Sequence, residues 1–515
     1  MPAETGTAQA TGAVPLGGVD LPPGPSRPDA AILLFVLAVV LVWSALPALL
    51  QTIPHADNVE QLNWAHAVQW GYIKHPPLPT WLLAAGIHVF GPSAFLTYAL
   101  AMGCVGASLL ILWWCAREFL DGRGALLVLL LTSADYYLMG RGSFLNHNTV
   151  MLPFVAASAW AVLRILRTGQ AWAWIVLGLA QALGLLTKYQ MAVVIVANAA
   201  ALLALGAWRR PRFFLHVTIA SLCTALPLLP HLRWLQHNEF STFTYAGHSL
   251  LADLPFGARV VHTLGFLAQQ LGRLAPAILA LGLALALPPR GAVTVPLRNS
   301  QAESWDARAD RAVAILAWTP LALIVLLSTL GGVALQNHWG ATSTLLLPLF
   351  AVSRMRHRRL PSLRAAWIAT LGVQATAVLW NAVAAARAPD FHHSFAAQPL
   401  AAMALAHWQE TQAGQPSIVV GPDWEAGAIA LELPSHPAVV ASGDRRQAPW
   451  VSDERLENCG ALILWRPDEA PASEVGPVFA QAIRDPVVLH TVVPGGRESK
   501  ISAGILPPAG GRCEP

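Results

Sequence analysis

In the stretch HADNVEQLNWAHAVQWGYIKHPPLP, residues 55–79, Asp57, Glu60, Lys74 and His75 fall within twenty residues of each other. The stretch follows directly on a run of more than twenty mostly apolar residues. A carboxylate can draw a proton from an attacking hydroxyl, and fixed cations can receive a phosphate. Asp57 and Glu60 lie three apart and share a face of any helix they form, while Trp64, Ala67 and Val68 would bury the other. That pattern equally describes a short amphipathic helix lying on a membrane, with both acids merely solvated. KHPPLP is harder to dismiss: its two successive prolines fix an extended turn and remove two donors, so Lys74 and His75 are held in a defined direction. An acid, a lysine and a histidine held over an apolar surface suit a lipid-linked anionic substrate.

The elements that position these groups are membrane helices. The chain has 515 residues, 55% hydrophobic and 12% charged, with a mean hydropathy of +0.50; soluble proteins carry about 25% charged residues. So apolar a chain cannot hide its surface in water, which excludes an ordinary soluble enzyme and predicts a polytopic α-helical membrane protein. At roughly 20 apolar residues per crossing, spans fall near 30–52, 94–116, 124–140, 148–166, 171–187, 189–207, 213–232, 263–287, 312–331, 339–354 and 364–386, about eleven in all. The segment 78–90 is too short to cross and is expected to lie in the interface or re-enter. With the first helix running outward, the inner loops hold sixteen arginines and the outer loops only Lys74, Arg141, Lys188, Arg233 and Arg259. The asymmetry puts the first outer loop, 53–93, and the C-terminal region on the periplasmic side. The formal charge is +4, and Lys74, Lys188 and Lys500 are the only lysines; the arginine and alanine bias fits a GC-rich bacterial genome.

Residues 1–28, rich in Pro, Gly and Ala with no basic n-region, read as a disordered cytoplasmic N-terminal arm before an uncleaved first helix. From residue 387 the character changes: SIVVG, GALILW and PVVLHTVV, set between Pro/Gly turns, predict a small α/β or α+β soluble domain over 387–515. The five cysteines show no metal-ligand spacing; three lie in apolar spans, and Cys459 and Cys513 are free to pair if close.

Under this topology the remaining polar residues gather at one rim. TSADYYLMGRG brings Asp135 and Arg141, FLNHNTV brings Asn146, His147 and Asn148, and LLTKYQM brings Lys188 and Tyr189. HLRWLQHNEFSTFTYAGHSL adds His231, Arg233, His237, Tyr245 and His248, and LQNHWG adds Asn337, His338 and Trp339. Each has a plain alternative. Lys188 and Arg141 can snorkel to headgroups, and His338 and Trp339 can anchor in the interface. Asp135 can pair with Arg141, and Asn148 can cap a helix.

A transmembrane helix, an Asp-led amphipathic helix and then WGYIKHPPLPTWL together resemble glycosyltransferase family 39 in its bacterial branch, which includes protein O-mannosyltransferases and lipid A aminoarabinose transferases. GSFLNHNTVMLPF, LGLLTKYQM and NHWGATSTLLLPLF are similar to further outer-loop elements of that family, in the family's order, so the resemblance covers roughly residues 30–386. It implies a C-type glycosyltransferase fold over 29–386 and a sugar donor carried on polyprenyl phosphate. The family's catalytic Asp matches Asp57, the His or Lys before Pro near the lipid phosphate matches His75, and the Lys of the TKY-like turn matches Lys188. Two positions depart: Asn58 stands where the family usually has Glu, and Asn148 where it often has Asp.

The resulting expectation is an inverting transferase of the bacterial inner membrane. Asp57 serves as general base; Lys74, His75, Lys188, Arg259 and Arg273 are candidates for the donor phosphate. Glu60, Asp135, Asn146, His147, Asn148, Tyr189, His248 and His338 are candidates for the sugar or acceptor. No metal or other cofactor is required, although a divalent ion is compatible. The partners are the lipid-linked donor, a lipid, glycan or protein acceptor and membrane lipids, with no nucleic acid. A transporter or flippase for lipid-linked sugars, or a non-catalytic relative, is the competing reading; no inverted repeat supports the former.

Overall fold

The computed structural model describes residues 28–250, 254–287, 300–356, 360–388, 390–493, 496–510 and 512–513, without the side chains of 246, 248–250 and 300–303. Nearly all of the N-terminal arm lies outside them. Helix α1 (Ala30–Leu50) starts at Asp29, whose carboxylate accepts the Ile32 N–H. It is apolar nearly all round, but only Ile32, Phe35, Val36, Val39, Trp43, Ser44 and Pro47 are buried, at helical spacing; Leu33, Leu34, Leu37 and Leu41 face outward. One face packs on protein and the other suits lipid.

Then come α2 (Ala56–Trp64), α3 (Leu78–Phe90), α4 (Ala94–Arg117), α5 (Gly122–Ser133), α6 (Tyr136–Met139) and α7 (His147–Thr168). They are followed by α8 (Ala171–Thr187), α9 (Met191–Ala204), α10 (Phe213–Ala225), α11 (Leu229–His237), α12 (Ser241–Leu250) and α13 (Phe256–Ala286). The last helices before the tail are α14 (Ser300–Thr329), α15 (Gly340–Thr344), α16 (Leu347–Met355) and α17 (Leu363–Arg387). Among the described residues seven helical stretches are long and apolar enough to cross a membrane: α1, α4, α7, Phe213–His237, α13, α14 and α17. Helices α5, α8 and α9, of 12, 17 and 14 residues, are shorter. At ~1.5 Å per residue none reaches the ~30 Å of a hydrocarbon core unaided.

Two expected spans are broken. The 124–140 span ends at Ser133 because Asp135 accepts the Tyr137 N–H and starts a new turn. The 339–354 span splits into α15 and α16, with Pro348 in the first turn of the latter. A second departure concerns α2. It does not lie on the membrane: Asn58, Val59, Gln61, Leu62, Asn63 and Trp64 are all buried. Ala67 and Val68 lie beyond its end, Val68 being 68% exposed.

The tail supplies the cover. After α18 (Phe391–Ser394) and α19 (Ala397–Thr411) come β1 (Ile418–Gly421), α20 (Asp423–Glu432), β2 (Ala438–Ala441), α21 (Asp453–Cys459), β3 (Ala461–Trp465), α22 (Pro471–Ala482), β4 (Arg484–Val493) and β5 (Arg497–Leu506). The sheet order is β2-β1-β3-β5-β4, with β2, β1 and β3 parallel and β5 antiparallel to both its neighbours. β1, β2 and β3 are buried along their whole length, as expected of strands covered on both faces. This is the small C-terminal domain that the sequence implies. Cys459 and Cys513 form a disulfide that ties the chain end to α21.

Two contacts, among others, fasten the sheet domain to the bundle. Ile53, just past α1, belongs to its core, and the Thr52 and Ile53 N–H groups both donate to the His392 carbonyl. Helix α20 crosses α2 at Gly427, where a Cβ would come within 2.3 Å of Val59 Cγ1. Any side chain there would push the helices apart.

The helix ends remote from the sheet domain are joined by charge. Fully buried Glu118 meets Arg164 at 3.5 Å and Arg167 at 3.1 Å and accepts Trp160 Nε1. Arg356 reaches Asp306 at 3.6 Å and Asp310 at 3.0 Å. These contacts bind α4 to α7 and α14 to α16.

Candidate active site

Asn58, placed where the resemblance expects an acid, is wholly buried and makes three hydrogen bonds. Its Nδ2 donates to Thr97 Oγ1 (2.7 Å) and the Ser143 carbonyl (3.2 Å), and its Oδ1 accepts the Leu145 N–H (3.1 Å). It thus bolts the start of α2 to α4 and to the turn before α7, and fixes the direction of its neighbour Asp57. A carboxylate there could not donate to Thr97 and Ser143.

Asp57 is half-buried, and its Oδ2 accepts Asn146 Nδ2 at 2.7 Å. Asn146 is the N-cap of α7: its Oδ1 accepts the Asn148 and Thr149 N–H groups. The cap is therefore Asn146, and Asn148 is released for another task. Its Oδ1 accepts Lys188 Nζ at 2.7 Å, and the same ammonium lies 5.0 Å from the Trp339 ring centroid. Among the described residues Lys188 has no ion-pair partner. Burial pushes it down to about 7, against the pull of Asp57.

Lys74 bonds Glu60 at 2.5 Å and lies 3.7 Å from Asp423, at the start of α20. Burial lowers its pKa, but the charge and hydrogen bond of Glu60 outweigh it and leave the ammonium held above its ordinary value. The His75 ring sits 4.0 Å from that of His147, whose Nε2 donates to the Pro76 carbonyl at 3.3 Å. Burial first, then His147, Lys188, Lys74 and His338, hold His75 well below the usual histidine range. His75 is thus a neutral donor rather than one of the cations the sequence suggests. His338 is similarly pushed down to about 3 by burial and by Lys188, Arg141 and Arg273. Trp64 stacks on Tyr72 at 5.1 Å and edges toward both His75 and His147, walling the cluster.

On the far side of Asp57, Tyr137 donates to or accepts from Thr149 Oγ1 at 3.1 Å. The Arg273 guanidinium lies 5.4 Å from the Tyr137 ring and donates to Gln270. Arg141 lies over Phe144 at 5.0 Å. Neither arginine has an ion-pair partner among the described residues; Asp135 spends its carboxylate on the Tyr137 N–H rather than on Arg141.

The chain matches the family model described as dolichyl-phosphate-mannose-protein mannosyltransferase over residues 74–234. It is 24% identical over 448 residues to the lipopolysaccharide core galacturonosyltransferase RgtA of Rhizobium johnstonii, covering 80% of this chain and 83% of that one. RgtB of the same organism, also named a lipopolysaccharide core galacturonosyltransferase, is 24% identical over 83% of this chain and 86% of its own. Among solved structures, ArnT from Cupriavidus metallidurans in the apo state superposes with a TM-score of 0.59 at 13% identity, over 92% of this chain and 98% of that one. Its complex with undecaprenyl phosphate gives a TM-score of 0.56 at 14% identity, over the same shares. The chain has the C-type glycosyltransferase fold.

Not every residue expected in the transferase's site is drawn into this cluster. Arg259 donates its Nε to the Leu254 carbonyl and packs against Gly332, without contact to the cluster among the described residues. Tyr189 bonds Thr242 (3.1 Å) and donates to His231 Nε2 (2.8 Å), while His231 Nδ1 donates to the Trp70 carbonyl. It thus braces the α8–α9 turn against the loop ahead of KHPPLP. His248 lies on α12, but its side chain is outside the described residues. Sequence reasoning missed the cap role of Asn146, the bracket formed by Asn58, and Asp423. Among the described residues no three His, Cys, Asp or Glu side chains are placed to hold a metal ion.

Proposed function

We propose that this transferase moves a sugar from a polyprenyl-phosphate carrier to an acceptor hydroxyl on the periplasmic side of the inner membrane. The transfer is a single inverting displacement. The observation that carries this reading is the juxtaposition of Asp57 with Lys188: a carboxylate anchored through one oxygen among the described residues, and beside it a half-buried lysine with an amide in place of a counterion. The acceptor oxygen bonds to the anomeric carbon as its proton passes to Asp57. The bond from that carbon to the phosphate oxygen breaks, and polyprenyl phosphate departs with the electron pair. Lys188 and Lys74 face the new negative charge, with neutral His75 as a hydrogen-bond donor. The apolar cluster of Phe266, Ile324 and Leu335, against which Trp339 packs, gives the prenyl tail a surface next to Lys188. The relative solved with undecaprenyl phosphate supports a carrier of this kind. No step requires a metal ion. The arginine asymmetry supports the periplasmic sidedness.

For the sugar we infer a uronic acid. The relatives' names carry galacturonosyl transfer, and Arg141 and Arg273, without ion-pair partners, flank Tyr137 beside Asp57. Two guanidiniums there suit a sugar carboxylate. Purified protein supplied with polyprenyl-phosphate-linked sugars tests both statements. Release of free polyprenyl phosphate, dependent on an acceptor and lost in Asp57→Asn, is expected, and faster for a uronic acid than for the matching neutral hexose. Intact carrier moved across vesicles without release would replace the reading with transport. Equal rates for both sugars would remove the uronic acid.

A further inference from the structure

A cavity lies at the other end of the bundle, away from the candidate active site. It has a volume of about 390 Å³ and is enclosed by the end of α9 with the turn that follows (Leu203 to Arg209) and by the first turns of α14. Its polar lining is cationic: Arg209 and Arg311 are exposed and Arg308 is half-buried. Arg210 stands close enough for the Arg308 charge to act on it.

The acids nearby are committed elsewhere. Asp306 and Asp310, four apart on α14, turn to Arg356, and Glu118 turns to Arg164 and Arg167. Helix α14 thus has a carboxylate face aimed into the bundle and an arginine face, Arg308 and Arg311, aimed at the cavity. Arg308 donates to the Leu205 carbonyl and Arg210 to that of Leu166, so backbone oxygens anchor two of the four guanidiniums. Arg209 lies 4.8 Å from the ring of its neighbour Trp208. Among the described residues none of these four arginines has a carboxylate partner; like charges so gathered repel one another, and an anion in their midst relieves that cost.

Two neighbours indicate what kind of anion. Trp208 is 52% exposed and Leu203 54% exposed, both on the cavity wall at the terminus of an apolar helix. A free phosphate gains nothing from them. A lipid places its headgroup among the arginines, its glycerol level at the indole and its acyl chains along the leucine. We propose that this cavity binds the phosphodiester headgroup of an anionic glycerophospholipid. The lipid belongs to the leaflet remote from the sheet domain, which the arginine asymmetry makes the cytoplasmic one.

Native mass spectrometry of the full chain in detergent, titrated with phosphatidylglycerol or phosphatidylcholine, tests this. At least one phosphatidylglycerol should be retained at least about 5-fold more tightly than phosphatidylcholine, the equivalent of a single surface cation at about 1 kcal/mol. The double variant Arg209→Gln, Arg311→Gln alters two exposed side chains; it should lose that preference and keep the unfolding temperature of lipid-free protein. The Arg308→Gln variant should show the same loss. The proposal is overturned if the variants bind phosphatidylglycerol like the parent, or if the parent makes no distinction between the lipids. Displacement of phosphatidylglycerol by millimolar inorganic phosphate would likewise overturn the lipid assignment in favour of a free-anion site.

Discussion

The two polar rims of the bundle treat their central charges differently, although Lys74 and Glu60 pair beneath the sheet domain too. Away from the sheet domain, Glu118 is met by two arginines and an indole, and Arg356 by two aspartates, so each charge is answered by opposite charge. Beneath the sheet domain, Asp57 and Lys188 are each answered by a neutral amide, Asn146 and Asn148, on the first turns of one helix. Full neutralisation makes a joint. Neutral amides hold a charge in position without satisfying it, and so keep it available to a substrate that brings the missing charge.

Exchanging the properties of the rims tests that contrast. The largest effect is expected for Asp57→Asn, which keeps a hydrogen-bonding partner for Asn146 but removes the base: transfer should fall by about 10²- to 10⁴-fold with an almost unchanged unfolding temperature. An unfolding temperature that drops with activity would make Asp57 a structural residue. Next is Glu118→Ala, which strands Arg164 and Arg167 in the interior and should cost about 3–5 kcal/mol of stability. Chemical denaturation in detergent measures it, and turnover per folded molecule should stay at the parental level.

The third test is pH. Lys188 in the empty site has a pKa near 7, and a bound phosphodiester raises it toward the ordinary lysine value. Donor affinity should therefore be level below about pH 7 and weaken by up to tenfold per unit above it. A phosphodiester does not titrate in that window, so the slope belongs to the protein. Lys188→Gln should bind more weakly and show no such slope. The same linkage has a second sign: between the folded pKa near 7 and the unfolded value near 10.5 the unfolded chain holds more protons, so the unliganded fold gains stability as pH rises. The smallest effect is expected for Asp423→Asn, a partly exposed group 3.7 Å from Lys74. It should change donor KM by about 2- to 5-fold, within the ~1 kcal/mol of a partly screened pair, and leave kcat alone.

Much of this was legible in the chain. The membrane class follows from composition, the limits of α3 coincide with the expected 78–90 segment, and the rigid KHPPLP turn does bring Lys74 and His75 beside Lys188 and His147. The resemblance to glycosyltransferase family 39 holds in the comparisons. What stayed hidden depends on partners distant along the chain. The 55–68 pattern reads as amphipathic because a sequence does not reveal that α20 packs on Val59 and Asn63. Asn58 looks like a lost acid until Thr97, Ser143 and Leu145 are seen around it. Asn148 invites the role of cap because it opens the apolar run, yet Asn146 caps through one end of its amide and steers Asp57 with the other.

The close crossing at Gly427 has a practical consequence for traffic. With α20 pressed on Val59 and the strand core gripping Ile53, the sheet domain is a fixed roof rather than a hinged one. On the proposed function, cargo would then slip in beneath the eaves, from the plane of the bilayer, and the spent carrier would back out by the same low doorway.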